Sequence, residues 1–276
     1  MNLRESQNID SCSFEFISQN SPLIIMVPHS GRNYDKTLLN QTQLSIKELR
    51  DSEDAYVDKF FSNNVKKFSF LKAKFPRIFV DVNRSPLEID PLMWQENGLT
   101  KIFNQKTLKV LSGIGVFPKV NLQGDFLYNS KIPFIEAKRR LFKYYFPYHK
   151  KIKDVINTTI IKFKKVVALD CHSMASDIID SDVVLSNGQG ITASYDILYF
   201  MKDFFKSFGF KVSINNPFKG GFISYHHSNI KKNIHFIQVE VNKRIYMSEQ
   251  DYTIKKEEMK KLQSCFKKLV ENIIMN

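Results

Sequence analysis

The fold is decided by the stretch PLIIMVPHSG at residues 22–31. Its first six residues form a nearly continuous apolar run, which is typical of a strand that is covered on both faces of a sheet. The proline and glycine of PHSG end this strand and place His29 directly after it. A buried strand of this kind predicts a parallel sheet inside the protein.

Further strands and helices follow in alternation along the chain. Short apolar runs predict strands at residues 77–82, 166–170, 211–214 and 236–241. Helical spacing of apolar residues predicts helices at residues 46–68, 135–161, 192–208 and 251–274, with a bend in the second near Pro147. Strands that alternate with helices indicate an α/β protein with a three-layer α/β/α fold and a mostly parallel central sheet.

One catalytic domain is predicted to comprise residues 1–276. Hydrophobic residues make up 43% of the sequence, which is enough for a core, and no repeat, low-complexity tract or linker divides the chain. Residues 1–15 are predicted to be a loosely ordered polar lead-in. Residues 88–135 lack a clear period and contain several glycines, so we expect a long excursion over one face of the sheet.

The charge of the chain raises the question of a nucleic-acid partner, because the formal net charge is +13. The lysines are spread along the sequence, however, and no basic helix or aromatic–basic module stands out. We interpret them as solvated residues and expect no nucleic-acid partner, with a basic nucleic-acid- or phosphate-binding protein on the same fold as an alternative. No apolar run approaches the roughly 20 residues of a membrane span, so no membrane is expected as a partner.

The three cysteines, Cys12, Cys171 and Cys265, are odd in number and far apart. This spacing argues against a disulfide framework and against a cysteine-type zinc site, and it fits a reducing cytoplasm. The N-terminal residues carry no secretory signal, which agrees with a cytoplasmic location. Cys171 directly precedes His172 and could be a nucleophile, but we favour a small apolar filler at the end of a strand.

Polar residues gather where the predicted strands end. His29, the pair Asn83 and Arg84, and His172 each follow one strand, and Glu240 lies near the end of a fourth. In open parallel sheets, ligands bind beyond the carboxyl ends of the strands. We therefore expect these side chains to converge on one cleft.

The residue types at these strand ends suit metal-assisted hydrolysis. Two histidines and one carboxylate are the usual protein ligands of a catalytic zinc, which activates a water molecule. A further carboxylate must take the proton of that water, and Glu240 fits because a carboxylate in an apolar strand is costly unless it is used or paired. An arginine near the metal would bind a substrate carboxylate in bidentate fashion.

Each of these residues also has a purely structural interpretation. A histidine after a strand is more often a hydrogen-bonded structural residue than a ligand. Asp54 could be a favourable charge at a helix N-terminus. Arg84 could pair with Asp81 or Asp90, and Glu240 could pair with Arg244. It is their joint occurrence at strand ends that favours a site.

The sequence resembles the N-formylglutamate amidohydrolase family over most of its length. Seven fragments carry the resemblance in order: VPHSG (27–31), SEDAYVD (52–58), VDVNR (80–84), PYH (147–149), LDCHSM (169–174), GGFIS (220–224) and IQVEVN (237–242). The resemblance implies a phosphorylase/hydrolase-like fold related to the zinc carboxypeptidases and aspartoacylases. It also implies one Zn²⁺ per chain, or another divalent metal in its place.

The resemblance assigns the metal ligands. His29, Asp54 and His172 would hold the zinc ion. Glu53 is the alternative to Asp54 as the carboxylate ligand. Asp58 would not bind the metal itself but would contact a ligand side chain and orient it.

The resemblance also assigns the catalytic and substrate-binding residues. Glu240 would be the general base, and Asn83 and Arg84 would hold a carboxylate of the substrate. Three further residues are placed at the substrate: Gly220, Gly221 and His226. His149 matches a family position without an assigned role.

The typical reaction of the family cleaves N-formyl-L-glutamate to formate and L-glutamate, late in histidine degradation. The expected partner is therefore a small amide substrate that carries a carboxylate. An amidase or carboxypeptidase-like hydrolase of another acyl-amino acid or of a short peptide is the alternative. Residues 88–135 do not align with the family, so substrate selectivity could lie there.

Overall fold

The computed structural model describes residues 13–62, 65–103 and 107–275. Within these ranges, seven strands form one sheet: β1 (Phe14–Ile17), β2 (Leu23–Val27), β3 (Ser69–Ala73), β4 (Val166–Met174), β5 (Val183–Ser186), β6 (Val212–Ile214) and β7 (Ile234–Asn242). Their order is β1-β3-β2-β4-β7-β5-β6. Strands β2, β3, β4 and β7 are mutually parallel and form the centre, while β1, β5 and β6 run in the opposite direction.

The helices of the described ranges lie between and after these strands. They are α1 (Lys36–Gln41), α2 (Ile46–Arg50), α3 (Leu108–Leu111), α4 (Phe134–Arg140), α5 (Phe146–Phe163), α6 (Tyr195–Ser207), α7 (Phe222–His227) and α8 (Lys256–Met275). A π-helical turn at Leu141–Tyr145 joins α4 to α5 directly before Pro147. Proline has no amide hydrogen to donate to the preceding turn, and this π-helical turn lies where the sequence predicts a bend. In the described residues, no helix is both long and apolar enough to cross a membrane.

Helices cover the sheet on both faces, because successive strand residues point to opposite sides. On one face, Leu169 of β4 and Val239 of β7 belong to a core that includes Phe266 of α8 and residues of α6. On the other face, Ala168 and Phe236 belong to a second core with residues of α5 and of the segment 88–135. The predicted three-layer α/β/α fold with a mostly parallel sheet is confirmed.

The helix predicted at residues 46–68 is wrong beyond its first turn. Helix α2 ends at Arg50, the chain turns through residues 51–56, and Val57–Phe61 form a 3-10 helix. Tyr56 has a φ of 66°, a left-handed conformation that an α-helix cannot contain. The apolar spacing that suggested a helix reflects packing instead, since Phe60 stacks on Phe266 of α8 and Phe61 contacts the same ring edge-to-face.

The strand predicted at residues 77–82 is also wrong. The second parallel strand is β3, which lies earlier in the chain, and residues 77–82 form an irregular segment. Ile78, Phe79 and Val80 are buried in the second core, which explains the apolar run. Their backbone is held by other partners, such as the Nη1 of Arg140, which donates to the Phe79 carbonyl over 3.1 Å. Burial without strand pairing produced this error.

No strands or helices were predicted for the lead-in at residues 1–15 or for the segment 88–135, and the structure describes these two segments to different extents. Residues 1–12 of the lead-in lie outside the described ranges, whereas Phe14 and Glu15 already pair with β3. The described part of the segment 88–135 contains short helical turns and α3, and Trp94, Phe117 and Leu127 bury their side chains in the second core. This segment packs on the face of the sheet that also carries α5.

Candidate active site

The candidate site lies at the carboxyl ends of the central strands. His29 follows β2 by two residues, while His172 and Glu240 are register partners on β4 and β7. The side chains of His172 and Glu240 point to the face of the sheet that carries α5. Each lies an even number of residues after a side chain on that face, Ala168 in β4 and Phe236 in β7. Cys171 points to the opposite face and is buried in the first core, so the apolar-filler interpretation fits its position and a nucleophilic role does not.

Asp54 reaches the cluster through the turn that replaces the predicted helix. Its amide nitrogen donates to the His29 carbonyl over 3.1 Å, and the Ser30 hydroxyl donates to its carbonyl oxygen over 2.6 Å. The neighbouring Glu53 points elsewhere, because its carboxylate accepts hydrogen bonds from Tyr34 at 2.6 Å and Arg32 at 3.0 Å. Of the two acids, it is Asp54 that faces the imidazoles.

His29, Asp54 and His172 form a buried cluster that could hold a metal ion. One ligand atom from each lies within 4.8 Å of the other two. The Oδ2 of Asp54 is 3.3 Å from the Nδ1 of His29 and 2.9 Å from the Nδ1 of His172. The Nδ1 of His29 is buried and forms no hydrogen bond with the described residues, which leaves a donor atom directed into the cluster.

The outer nitrogens of both imidazoles contact carboxylates. The Nε2 of His29 is 2.8 Å from the Oδ1 of Asp81, and the Nε2 of His172 is 3.1 Å from the Oδ1 of Asp170. Metal-binding histidines characteristically have such partners, which fix the ring and its tautomer. The sequence alone gave neither Asp81 nor Asp170 this role. Asp58, to which the family resemblance assigned it, instead accepts from the Nζ of Lys72 over 2.8 Å.

The charges around the cluster suit a cation. Asp54, Asp81 and Asp170 are all buried beside the two imidazoles, and buried negative charge needs compensation. Burial favours the neutral form of Asp54, but the hydrogen bond from His172 and the positive charges of His172 and His29 outweigh it and hold the pKa of Asp54 below its ordinary range. Burial acts against the imidazolium of His172, yet Asp170 and Asp54 raise its pKa well above the usual value. The donor set and the buried charges therefore fit a divalent metal.

Glu240 lies beside this cluster and is also buried. Burial is the main cause that raises the pKa of Glu240 to about 7, and the negative charge of Asp54 adds to it. The Nε2 of Gln238 donates to the Oε1 of Glu240 over 2.8 Å. The structural interpretation, a pair with Arg244, is wrong, because Arg244 contacts aspartates of the segment 175–182 instead.

Asn83 contacts the Nε2 side of the His172 ring, the side away from Asp54. Its Nδ2 is 3.1 Å from the Nε2 of His172 and 3.3 Å from a carboxylate oxygen of Asp170. Its Oδ1 accepts from the amide of Ile223 over 2.8 Å. A Cβ at Gly221 would come within 2.3 Å of the Asn83 side chain, so the glycine makes room for Asn83 rather than for a ligand.

Arg84 lines the cleft, and part of its guanidinium has no hydrogen-bond partner among the described residues. Its Nε donates to the Ile114 carbonyl and its Nη1 to the Asn83 carbonyl, each over 3.1 Å. In the described ranges no carboxylate oxygen lies within ion-pair distance of Arg84, while Asp81 instead binds Arg77 over 2.8 Å. The pairing of Arg84 with Asp81 or Asp90 is therefore wrong.

The cleft in front of these residues has a volume of about 260 Å³. Its walls combine the cluster with apolar side chains of the segment 88–135, among them Ile114, Val120 and Leu122. The cleft is lined by most of the site residues predicted from the sequence, namely His29, Asp54, Asn83, Arg84, His172, Gly220, Gly221 and Glu240. A polar, metal-competent floor under partly apolar walls suits a small polar substrate.

His226 and His149 lie outside this cleft. His226 is exposed and stacks on Phe222, with 4.8 Å between the ring centroids. His149 is buried, with its Nε2 2.9 Å from the Val82 carbonyl oxygen and its Nδ1 2.9 Å from the Nε2 of His227. The structure does not bring His226 to the substrate position, and it gives His149 a structural role between α5 and α7.

The fold and the site together define an α/β protein with a candidate metal centre at the carboxyl edge of its sheet. The sequence model of the N-formylglutamate amidohydrolase family matches residues 21–247. The chain belongs to this family and is a hydrolase that acts on an amide bond.

Individual relatives agree with this assignment. The N-formylglutamate deformylase of Pseudomonas putida is 22% identical over 275 residues, which cover 92% of each chain. That of Pseudomonas aeruginosa is 22% identical over 244 residues, 83% of each chain. Among solved structures, an N-formylglutamate amidohydrolase from Ralstonia eutropha JMP134 has a TM-score of 0.83 at 22% identity, covering 95% of this chain and 98% of its own. A gene product of Agrobacterium tumefaciens has a TM-score of 0.69 at 14% identity, covering 94% and 92%. At these identities the solved structures support the fold.

Proposed function

We propose that the protein hydrolyses N-formyl-L-glutamate, or a closely related N-acyl amino acid, to formate and L-glutamate. The observation that carries this proposal is the buried cluster of His29, Asp54 and His172 beside Glu240 in one cleft. Family membership and the names of the curated relatives support the substrate. Histidine degradation in the cytoplasm is the setting that we propose, on the basis of the family resemblance.

The metal in this proposal is zinc, and its ligands are His29, Asp54 and His172. Two imidazoles and a carboxylate are a frequent catalytic zinc set, with one position left for water or substrate. When bound, zinc would polarise the carbonyl group of the amide and activate a water molecule for attack. Asp81 and Asp170 would hold the two rings with their Nδ1 atoms toward the ion.

Glu240 is the proposed general base. Its carboxylate would take the proton of the attacking water and then donate it to the nitrogen of the leaving glutamate. A pKa of about 7, raised by burial, suits both halves of this transfer, because acid and base forms are then present together near neutral pH. The hydrogen bond from Gln238 would keep one carboxylate oxygen fixed while the other faces the reaction.

Arg84 is the proposed anchor for a carboxylate of the substrate. Its guanidinium has donors that the described residues leave unused, and it lines the same cleft as Glu240. Asn83 would support it from behind through its carbonyl group, and Gly220 and Gly221 would complete the adjacent wall. His226 has no part in this proposal, since it does not line the cleft.

The experiment combines metal analysis with an assay of formate release from N-formyl-L-glutamate. The purified protein should contain about one zinc per chain, and His29→Ala or His172→Ala should lose both metal and activity. Glu240→Gln should keep the metal and lower kcat by roughly 10²–10⁴-fold, the usual range for removal of a general base.

A matched control is His235→Gln. It removes an imidazole of similar burial from the other end of β7, where His235 contacts Asn233, and it should retain metal and activity. Metal-loaded protein that hydrolyses only acetyl- or peptidyl-glutamates would replace the proposed substrate by the alternative one. Full activity of Glu240→Gln would contradict the proposed base.

A further inference from the structure

Lys243 is a buried lysine at the edge of the candidate active site. It directly follows β7 and begins the turn Lys243–Ile245, three residues after Glu240. The residue is 6% exposed, and it lines the same cleft as Glu240 and Arg84. Asn242 fixes this turn, because its Oδ1 accepts from the Arg244 amide over 3.1 Å and its Nδ2 donates to the Ser181 carbonyl over 3.2 Å.

The ammonium group of Lys243 has no partner among the described residues. It forms no ion pair or hydrogen bond with them, although the next residue, Arg244, binds Asp180 and Asp182. The charges that act most strongly on the Glu240 carboxyl come from other residues, namely His172, Asp54, Arg77 and Asp170. The Lys243 nitrogen is not one of the fully enclosed polar atoms of the described residues, so the ammonium is open to the cleft and available to an anionic group of a ligand.

Arg84 is a second cation of the cleft without a carboxylate partner, and it comes from a different wall. It is tied to the segment 88–135 through the Ile114 carbonyl, whereas Lys243 lies beside the segment 175–182. Arg77 is already paired with Asp81. Lys109 also lines the cleft but is exposed, so water screens its charge. Arg84 and Lys243 therefore approach the cleft from different segments of the chain.

We propose that Lys243 binds a second anionic group of the substrate and thereby selects dianionic acyl-amino acids over singly charged ones. Arg84 then holds one carboxylate, Lys243 holds the other, and the amide bond lies between them next to Glu240. The inference rests on the proposed function and adds to it a residue that determines specificity. A ligand with one carboxylate would leave one of the two cations without an anionic partner, and the missing charge-assisted hydrogen bond is the source of the selectivity.

The kinetic test compares N-formyl-L-glutamate with N-formyl-L-glutamine, which differs by the loss of one charge. Lys243→Met keeps most of the length of the side chain and removes its charge. It should lower kcat/KM for the glutamate substrate by about 10- to 100-fold, the effect of losing a charge-assisted hydrogen bond in a shielded site, and change that for the glutamine substrate less than about 3-fold. Lys243→Arg should retain most of the preference. The matched control is Lys219→Met, because Lys219 is an exposed lysine next to the cleft wall at Gly220.

A binding test separates this inference from the proposed function. Glutarate and butyrate, which carry two carboxylates and one, are titrated into the zinc-loaded protein by calorimetry. Wild-type protein should bind glutarate at least about 10-fold more tightly, and Lys243→Met should remove that difference. If no substrate is hydrolysed but this pattern holds, the proposed reaction fails and the role of Lys243 stands. Equal binding of both acids by the wild-type protein overturns the role of Lys243 even if the variant does not fold, and so does an unchanged preference in Lys243→Met.

Discussion

The Nε2 of His29 lies 2.8 Å from the Oδ1 of Asp81, and this contact joins the cluster to a segment that forms no strand. The other carboxylate oxygen of Asp81 accepts from Arg77 over 2.8 Å. Its Oδ1 also accepts from the Asn83 amide over 2.8 Å. Asp81 is therefore fixed from several sides before it orients His29. Rigid support of this kind is what keeps a metal ligand in position.

The first prediction concerns the two carboxylates behind the imidazoles. Asp81→Asn or Asp170→Asn should weaken zinc binding by about 10- to 100-fold, because each removes the negative partner of the outer nitrogen of a ligand imidazole while keeping the shape of the side chain. Competition with a chelator of known affinity measures this change.

The control for this prediction is Asp58→Asn. The family resemblance assigned Asp58 to the orienting role, but it pairs with Lys72 away from the cluster. Zinc affinity should therefore stay within about 2-fold of wild type, since this substitution leaves both imidazole partners in place. A loss equal to that of Asp81→Asn would mean that the family-based assignment was right.

The second prediction concerns Gly221. Its φ is −109°, so alanine is allowed by the backbone, and the obstacle is the Asn83 side chain, 2.3 Å from the added Cβ. Gly221→Ala should displace Asn83 from His172 and lower kcat/KM by about 10-fold or more, since small misplacements in a catalytic site have large effects. Formate release measures it.

Gly209→Ala is the matched control for the Gly221 substitution. Gly209 has a φ of 81° and no atom within 4 Å of an added Cβ. Alanine there should lower the free energy of unfolding by about 1 kcal/mol through backbone strain and leave the activity unchanged. If Gly221→Ala behaves in the same way, Asn83 does not support the site.

The site could be predicted in part from the sequence because two strands carry it. Residues two apart in a strand share a face, so Asp170 and His172 on β4, like Gln238 and Glu240 on β7, extend the row of Ala168 and Phe236. That rule also identifies Asp170 and Gln238, which the sequence analysis did not use. The apolar runs of β2, β4 and β7 similarly sufficed to predict the central sheet.

The remaining parts of the site depend on contacts that no local pattern encodes. Asp54 reaches the site through a turn in which Tyr56 has a left-handed conformation. The helical spacing of the apolar residues around it predicted a continuous helix instead. Asp81 and Asn83 lie in a buried irregular segment whose apolar residues imitate a strand. For Asp54 and Asn83 the family resemblance gave roles that periodicity could not, because their placement is set by tertiary hydrogen bonds.

The third prediction concerns the pH dependence of the reaction. Glu240 must be ionised to accept a proton, so kcat/KM should fall as the pH drops below its pKa of about 7. The amide of Gln238 donates to Glu240 and stabilises the ionised form. Gln238→Leu should therefore raise that pKa and move the acid limb upward by about one pH unit.

The measurement for Gln238→Leu is a profile of kcat/KM from pH 5 to pH 9 with zinc in excess. Gln95→Leu is the control, because Gln95 is an exposed glutamine that also donates one hydrogen bond, to the Lys131 carbonyl. Its acid limb should coincide with that of the wild type. A limb that moves to lower pH in Gln238→Leu would contradict the assignment of Gln238 as a donor to the Glu240 carboxylate.

The fourth prediction concerns stability in acid and the pair of His149 and His227. Burial is the main cause that lowers the pKa of His149 from about 6.5 to about 4. Between these two pH values the unfolded chain binds a proton at His149 that the folded chain does not. The contribution of neutral His149 to the free energy of unfolding is therefore fully present above about pH 6.5 and is lost as the pH falls toward 4. For His149 alone, the free energy of unfolding should decrease by about 2 kcal/mol between pH 7 and pH 5.

Urea unfolding at pH 7 and pH 5 tests this in the wild type and in His149→Gln. The variant loses contacts to Val82 and His227 and should be less stable at pH 7. Its additional loss at pH 5 should nevertheless be smaller than that of the wild type by about 2 kcal/mol, because the group that resists protonation is gone. His226→Gln, an exposed histidine on the same helix as His227, should keep the wild-type difference. Equal pH dependence in the wild type and His149→Gln would show that this buried imidazole is already protonated in the folded protein.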